Sequence, residues 1–251
     1  MTISGREIIR RAAHLPVLDR IGAWAEDAAT WARLAGTSRR REAIRRALAA
    51  CRTPEDFLRF IRPILPLTQI DTEICSLLAL AAQRAPRRVL EIGRAQGGTA
   101  FLLSRAIPSV DWTLSVDLGP RHSRTLRFFN APARAFHSVR GSSRDDRVFA
   151  QIVRRVGAEP VDLLFIDGDH SYEGVAADYR LYRPLVRPGG LIVFHDIVPA
   201  APTDAPPAFE CWVGGVPRFW QEVRPQAARS WEFVESWDQG GFGLGVLETK
   251  L

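Results

Sequence analysis

Lysine is almost missing from this chain: of 34 basic residues only Lys250 is not an arginine. No lysine is therefore available as an interior catalytic base. Cysteine is scarce as well. Cys51, Cys75 and Cys211 are odd in number and far apart, which argues against a disulfide framework and against a Cys-x-x-Cys zinc site. Long apolar runs are lacking: none approaches the ~18 residues of a membrane-spanning helix. The segment Met1 to Glu7 has no apolar core of a secretory signal. This is the pattern expected of a soluble cytoplasmic protein. What remains is ordinary for a globule, with 46% hydrophobic and 25% charged residues and a net charge of +6 over 251 residues. That length accommodates one large α/β domain with an appendage.

The appendage comes first. Residues 6 to 36 read as irregular helix: Ile8, Ile9, Ala12, Leu15, Val17 and Leu18 are interrupted by Pro16, and a second run from Ile21 to Leu34 carries Trp24 and Trp31 before Gly36 ends it. Thr37 and Ser38 can cap a third helix through Cys51. Its face of Arg39, Arg40, Arg41, Arg45 and Arg46 reads as a solvated surface, though it also suits an anionic partner. Thr53-Pro54-Glu55-Asp56 is a strong helix start, a cap residue followed by proline and two acids. Phe57, Phe60 and Ile61 give that helix an apolar side. Pro63, Pro66 and Leu67 to Gln69 mark a boundary, so residues 1–66 form a helical extension and residues 67–251 the main domain. The two tryptophans predict that the extension packs on the main domain or on a second subunit. Asp71 is expected to cap the next helix, which carries Ile74, Leu77, Leu78 and Ala81 at helical spacing.

From there strands and helices alternate. The strands are Val89 to Ile92, Trp112 to Val116, Ala135 to Val139, Val161 to Ile166 and Leu191 to Phe194. Such alternation specifies a parallel, doubly wound sheet. Trp231 to Ser236 and Phe242 to Leu247, separated by Asp238 to Gly241, read as a closing hairpin. Pro199 to Pro207 is a loop or lid.

The chain is organised around the first strand and the turn after it, Val89 to Thr99. Gly93 and Gly97 leave no side chain to block a ligand seated on the backbone at the helix start. The spacing is not the Gly-x-Gly-x-x-Gly that cradles a pyrophosphate. Glu91 at the strand end argues instead for a ligand with a cationic group. Ligands of open sheets bind at the carboxyl ends of the strands. Asp117 follows strand two, where it can accept both hydroxyls of a ribose or serve as a turn acid. Gly141 to Asp145 follows strand three, Asp167-Gly168-Asp169-His170 strand four, and His195-Asp196 strand five. His14, His122 and His137 lack such context and read as surface or satisfied core residues. Cys211 to Trp220, with Gly214-Gly215 and Arg218, reads as part of an acceptor pocket or lid; core packing is the alternative for Trp212 and Trp220.

The Glu-x-Gly-x-x-x-Gly pattern resembles the first motif of class I S-adenosylmethionine (SAM) methyltransferases. Gly141 to Asp145 resembles the adenine-binding Gly-Ala-Ser-Gln-Asp segment of catechol and caffeoyl-CoA O-methyltransferases. Phe165 to Glu173 and Gly189 to Asp196 are closer still to bacterial relatives, the cephalosporin-hydroxylase-like and sugar O-methyltransferase group. The resemblance covers residues 67–251. It implies a Rossmann-like seven-stranded sheet and a SAM-dependent O-methyltransferase acting on a hydroxyl of a small molecule, a sugar or natural-product intermediate. It also implies a cofactor site of Glu91, Gly93, Gly97, Asp117, Ser143, Arg144 and Asp167. Asp167 matches the first metal ligand of the metal-dependent members, and His195 and Asp196 match the pair after strand five. His170 falls where the catechol enzymes carry a lysine base, so His170 and Asp167 are the expected catalytic residues. His195 departs from the oxygen ligand of that group; magnesium or manganese is expected ahead of zinc or iron.

Two other readings are a nicotinamide-dependent oxidoreductase on a related fold and a non-catalytic SAM-binding partner subunit. The glycine spacing and Gly141 to Asp145 count against the first, and the intact acids and histidines against the second. Nucleic acid is disfavoured, because the charge is spread rather than interleaved with aromatics. A homodimer is the expected assembly.

Overall fold

Five apolar runs, each joined to the next through a helix, can be buried only as parallel strands between two helical layers. The computed structural model describes residues 16–131, 133–200 and 213–250. In it these runs are β1 (Arg88–Ile92), β2 (Trp112–Asp117), β3 (Ala135–Arg140), β4 (Val161–Ile166) and β5 (Val186–His195). Two further strands, β6 (Arg229–Phe233) and β7 (Leu244–Glu248), complete a seven-stranded sheet of order β3-β2-β1-β4-β5-β7-β6. β1 pairs in parallel with both β2 and β4, so the winding reverses between β1 and β4. That reversal opens the crevice in which such sheets take ligands. β7 runs antiparallel to both of its neighbours, β5 and β6.

Strand periodicity divides the core. Val89, Leu163 and Phe165 point into one layer, whereas Leu90, Ile92, Leu164 and Ile166 point into the other. The first layer is closed by α3 (Pro54–Ile61), α4 (Asp71–Arg84) and α5 (Gly98–Arg105), through Leu58, Ile61, Ile74, Leu77 and Phe101. The second is closed by α7 (Asp146–Val156), α8 (Tyr172–Tyr182) and α9 (Val216–Val223), through Ile152, Val175, Tyr179, Phe219 and Trp220. A short helix α6 (Ser123–Phe128) follows β2.

The described part of the extension forms α1 (Pro16–Ala35), α2 (Ser38–Ala50) and α3. Leu34 and Leu48 belong to the first core layer, and Trp31 meets Phe128 edge-on at 6.1 Å. These helices therefore pack on the sheet domain. Thr37 caps α2 by accepting from the Arg40 amide at 3.2 Å. Thr53 and Asp56 form a reciprocal capping box at the start of α3. The α2 arginines Arg39, Arg40, Arg45 and Arg46 are exposed, with Arg46 paired to Glu42; half-buried Arg41 donates through Nη1 to the Gly36 carbonyl at 2.9 Å. Residues 6–15 with His14, and the side chain of Trp24, lie outside the described residues.

Three expectations are corrected. Asp71 does not cap α4: the cap position is Ile70, in extended backbone, and Asp71 is the first helical residue, paired with Arg62. β5 begins at Val186, five residues earlier than expected, because the sheet absorbs Gly189-Gly190 through a register shift between Val161 and Leu163. The last hairpin turns more widely, over residues 234–243, because β6 ends at Phe233 and β7 begins at Leu244. Buried Glu73 on α4 organises that loop, accepting from the Glu235 and Gly243 amides and from Gln239 Nε2 at 2.8–3.1 Å. Among the described residues no helix is long and apolar enough to cross a membrane.

Candidate active site

Gly93 ends β1 in the left-handed region, with φ +83°. A Cβ there would meet the Asp167 carbonyl oxygen at 1.9 Å, so only glycine lets the ends of β1 and β4 approach this closely. Beside it lies a cavity of about 420 Å³, lined by Gly93, Ala95, Asp117, Leu118, Ser143 and Arg144 and by residues 167–169. The volume suits a small-molecule ligand. Asp117 is pinned at its edge: Oδ2 accepts from the Arg94 and Ala95 amides at 2.9 and 2.8 Å, and Oδ1 accepts from the Gly119 amide at 2.6 Å. Ser143 Oγ donates to Asp178 Oδ1 at 2.6 Å, and Arg144 pairs with Asp169 at 2.6 Å. A larger void, about 690 Å³, lies between α3 and α4 against Glu55, Arg59, Arg62 and Cys75; none of the strand-end residues lines it.

Two expected cofactor residues stand outside the lining. Glu91 is fully buried beneath the strand end, where Ser115 Oγ donates to it at 2.5 Å. Burial pushes its carboxyl up to about 8, even against the Ser115 hydrogen bond and the nearby Arg94 charge. At neutral pH it is largely protonated, so it does not supply the negative charge the sequence reading gave it. Gly97, at φ +90°, caps α5; a Cβ there would meet Leu126 at 2.8 Å. Its glycine serves packing at the helix start.

The ends of β4 and β5 carry charge instead. Asp167, His170 and Asp196 each offer one ligand atom, all within 4.8 Å of one another. His170 Nε2 is 3.3 Å from Asp167 Oδ1, and its Nδ1 is 3.2 Å from Asp196 Oδ2. His195 Nδ1 approaches the same two oxygens, at 3.3 and 3.2 Å. The other oxygen of each acid is held by an amide. Gln69 Nε2 donates to Asp167 Oδ2 at 3.4 Å, and the Phe242 amide donates to Asp196 Oδ1 at 3.0 Å. Gln69 is itself fixed by Thr99 Oγ1 at 2.9 Å. Asp196 sits at φ +62°, a costly conformation for a non-glycine residue and one that clusters at functional sites.

Burial would raise the Asp167 carboxyl, but the imidazoles of His195 and His170 outweigh it and hold the group at about 2. For His195, burial favours the neutral ring, yet Asp167 and Asp196 draw it up to about 10. Without a metal the two acids thus hold a proton on His195. Both His195 nitrogens and Asp196 Oδ2 are buried with no hydrogen-bond partner among the described residues. Two carboxylate oxygens with the unpartnered His195 Nδ1 beside both of them fit a divalent cation.

Gln69 and Asp169 were not singled out from the sequence. Asp169 lines the cavity and was legible as the second acid of Asp-Gly-Asp-His; Gln69 carries no local signal. The Gly214-Gly215 pair is a close-approach device: Cβ atoms there would meet the His170 carbonyl oxygen at 2.0 Å and Tyr172 at 2.5 Å. Trp220 is fully buried and donates to Glu232 at 2.7 Å, so it belongs to the core. Arg218 lies over the Tyr172 ring, outside the cavity lining. Cys211, Trp212 and residues 201–207 of the expected lid lie outside the described residues. His122 is buried against Gln96 at 2.9 Å, and half-buried His137 packs beside Trp112; neither lines the cavity.

Residues 90–197 match a family model described as a methyltransferase domain. An uncharacterized protein of Acanthamoeba polyphaga mimivirus is 37% identical over 112 residues, which are 43% of this chain and 50% of that protein. An uncharacterized protein of Sinorhizobium fredii is 28% identical over 124 residues, 44% of this chain and 13% of that one. The matches thus span half or less of these curated relatives. Among solved structures, an O-methyltransferase from Bacillus cereus in complex with S-adenosylhomocysteine (SAH) superposes with a TM-score of 0.55 at 20% identity, over 90% of this chain and 97% of that one. The O-methyltransferase TomG from Streptomyces achromogenes, in complex with SAM, superposes with a TM-score of 0.51 at 22% identity, over 81% and 89%. The segment that matches the methyltransferase-domain model begins in β1 and ends just past Asp196, enclosing both halves of the crevice, and the seven-stranded sheet that carries it has the fold of these O-methyltransferase structures.

Proposed function

We propose that the protein transfers the methyl group of SAM to a hydroxyl of a small molecule, a sugar or natural-product intermediate, with the help of a divalent cation. The observation that carries this reading is the double position of Asp167, which lines the glycine-built cavity and belongs to the charged cluster. A cofactor in the cavity therefore lies next to groups suited to an oxygen nucleophile.

In this mechanism Gly93 lets the methionine end of SAM rest on the backbone. Asp117 accepts the ribose hydroxyls, while Ser143 and Arg144 border the adenine. The acceptor oxygen attacks the methyl carbon in line; the carbon–sulfur bond breaks, its electron pair stays on sulfur, and SAH leaves. His170, whose side chain is 26% exposed against 3% for His195, is the imidazole that the acceptor can reach, and it takes the hydroxyl proton at a ring nitrogen. A divalent cation held by Asp167, Asp196 and His195 would supply acidification of the acceptor hydroxyl and fix its oxygen.

Calorimetry with SAH and, separately, with NADH tests the cofactor. Heat with SAH and none with NADH is expected; the reverse would replace this reading with a nicotinamide oxidoreductase. Labelled methyl transfer to a panel of sugars and phenols, with and without EDTA, tests the rest. Full activity in chelator would remove the cation from the mechanism.

A further inference from the structure

The charged cluster contains two imidazoles with unlike surroundings. His170 is partly exposed, whereas His195 is sealed, with only 3% of its side chain exposed. A sealed side chain cannot exchange a proton with a substrate. Its Nδ1 nonetheless stands 3.2–3.3 Å from one oxygen of each of the two acids, in hydrogen-bond geometry with neither. The remaining oxygens of those acids are the ones tied back by Gln69 and by the Phe242 amide. The surroundings thus turn Asp167 Oδ1, Asp196 Oδ2 and His195 Nδ1 toward one another, as supporting groups orient metal ligands. Three donors converge on one point, and one of them is nitrogen.

We propose that His195 is a nitrogen ligand that makes this a site for a borderline transition-metal dication, of the iron-to-zinc stretch, in preference to magnesium. Imidazole suits these ions, while magnesium keeps to oxygen donors and water. The proposal deepens the methyl-transfer reading and rests on it for the purpose of the ion. It departs from the sequence expectation of magnesium or manganese ahead of zinc or iron.

The test uses the full chain and the metals alone. Calorimetric titration with Co²⁺ and Mg²⁺ is expected to give Co²⁺ a preference well above about tenfold. The wild type loaded with Mn²⁺, examined by pulsed EPR, should show coupling to a ¹⁴N ligand. His195→Asn should lose that coupling and weaken Co²⁺ by more than the roughly 10–100-fold that removal of an outer-shell support costs, whereas His170→Asn should keep it. His195→Asp, which restores an oxygen donor, should narrow the gap between the two metals. Equal or tighter Mg²⁺ binding, absence of ¹⁴N coupling in the wild type, or loss of coupling in His170→Asn and not in His195→Asn would each overturn the proposal. The wild-type spectrum decides even if a variant fails to fold. SAH calorimetry on the same preparation separates the two readings, because lost SAH binding defeats methyl transfer and leaves the metal result standing.

Discussion

The two ends of the crevice are made of different materials. At the β1–β3 end the ligand surface is backbone, opened by Gly93 and edged by one acid whose orientation three amides dictate. At the β4–β5 end it is side chain, with two acids and two imidazoles whose nitrogens stand 3.2–3.3 Å from the carboxylate oxygens. The first end is specified by conformation and the second by charge balance. A substitution should therefore damage the first by altering shape and the second by altering charge.

The strongest way to break this contrast is Gly93→Ala. The added methyl must displace the β4 backbone and adopt an unfavourable φ, so a loss on the order of 4 kcal/mol is expected, read as a collapse of the thermal midpoint or of soluble yield. A variant that melts like the wild type would show that the β1 turn has slack. His170→Ala should leave the fold and SAH affinity in place and reduce methyl transfer roughly 10²–10⁴-fold. Single-turnover kinetics with saturating SAM checks this; an unchanged rate would remove His170 as the base. Asp117→Ala should weaken SAH by about 1.5–3 kcal/mol, the range for hydrogen bonds to a charged group, while the rate at saturation changes little. Calorimetry and a KM-against-kcat comparison read the two effects apart.

Glu91→Gln should have the smallest effect on function, with SAH affinity unchanged, because Glu91 lies outside the cavity lining. Its effect is on stability. The unfolded carboxyl ionises from its ordinary 4.5, while the folded one holds its proton up to about 8. Between those values the folded state binds the extra proton, so the wild type loses stability as pH rises through the window and this contribution is flat above it. The amide variant should lack that decline. Denaturant melts at the two ends of the window measure it, and identical slopes in both proteins would place Glu91 in a more polar setting than its burial indicates.

The sheet was readable because parallel strands buried on both faces leave continuous apolar runs, as in Leu163 to Ile166. Polar residues that interrupt such runs only at their carboxyl ends, Asp117, Asp167 and Asp196, then mark the crevice. Other features depended on tertiary context. Glu91 has the place of a ligand-facing acid, and only its burial beside Ser115 reveals a protonated structural group. Gln69 lies 98 residues from Asp167, and no local pattern foretells that hydrogen bond. The wide turn of the last hairpin depends on Glu73, a distant α4 side chain that accepts three of its N–H groups. The distinction between His170 and His195 is one of exposure, which residue type and spacing do not encode.

The place of β7 has a consequence for synthesis. It follows β1 to β6 in the chain, yet it lies inside the sheet, between β5 and β6. A nascent chain carries Asp167, His170, His195 and Asp196 before it carries Phe242, whose amide orients Asp196, or Leu244, which pairs with His195. β6 has no edge to join until β7 is out. Translation therefore delivers Asp167, His170, His195 and Asp196 before the strand that arranges them, and the cluster is completed when an inner strand is inserted rather than an outer one added.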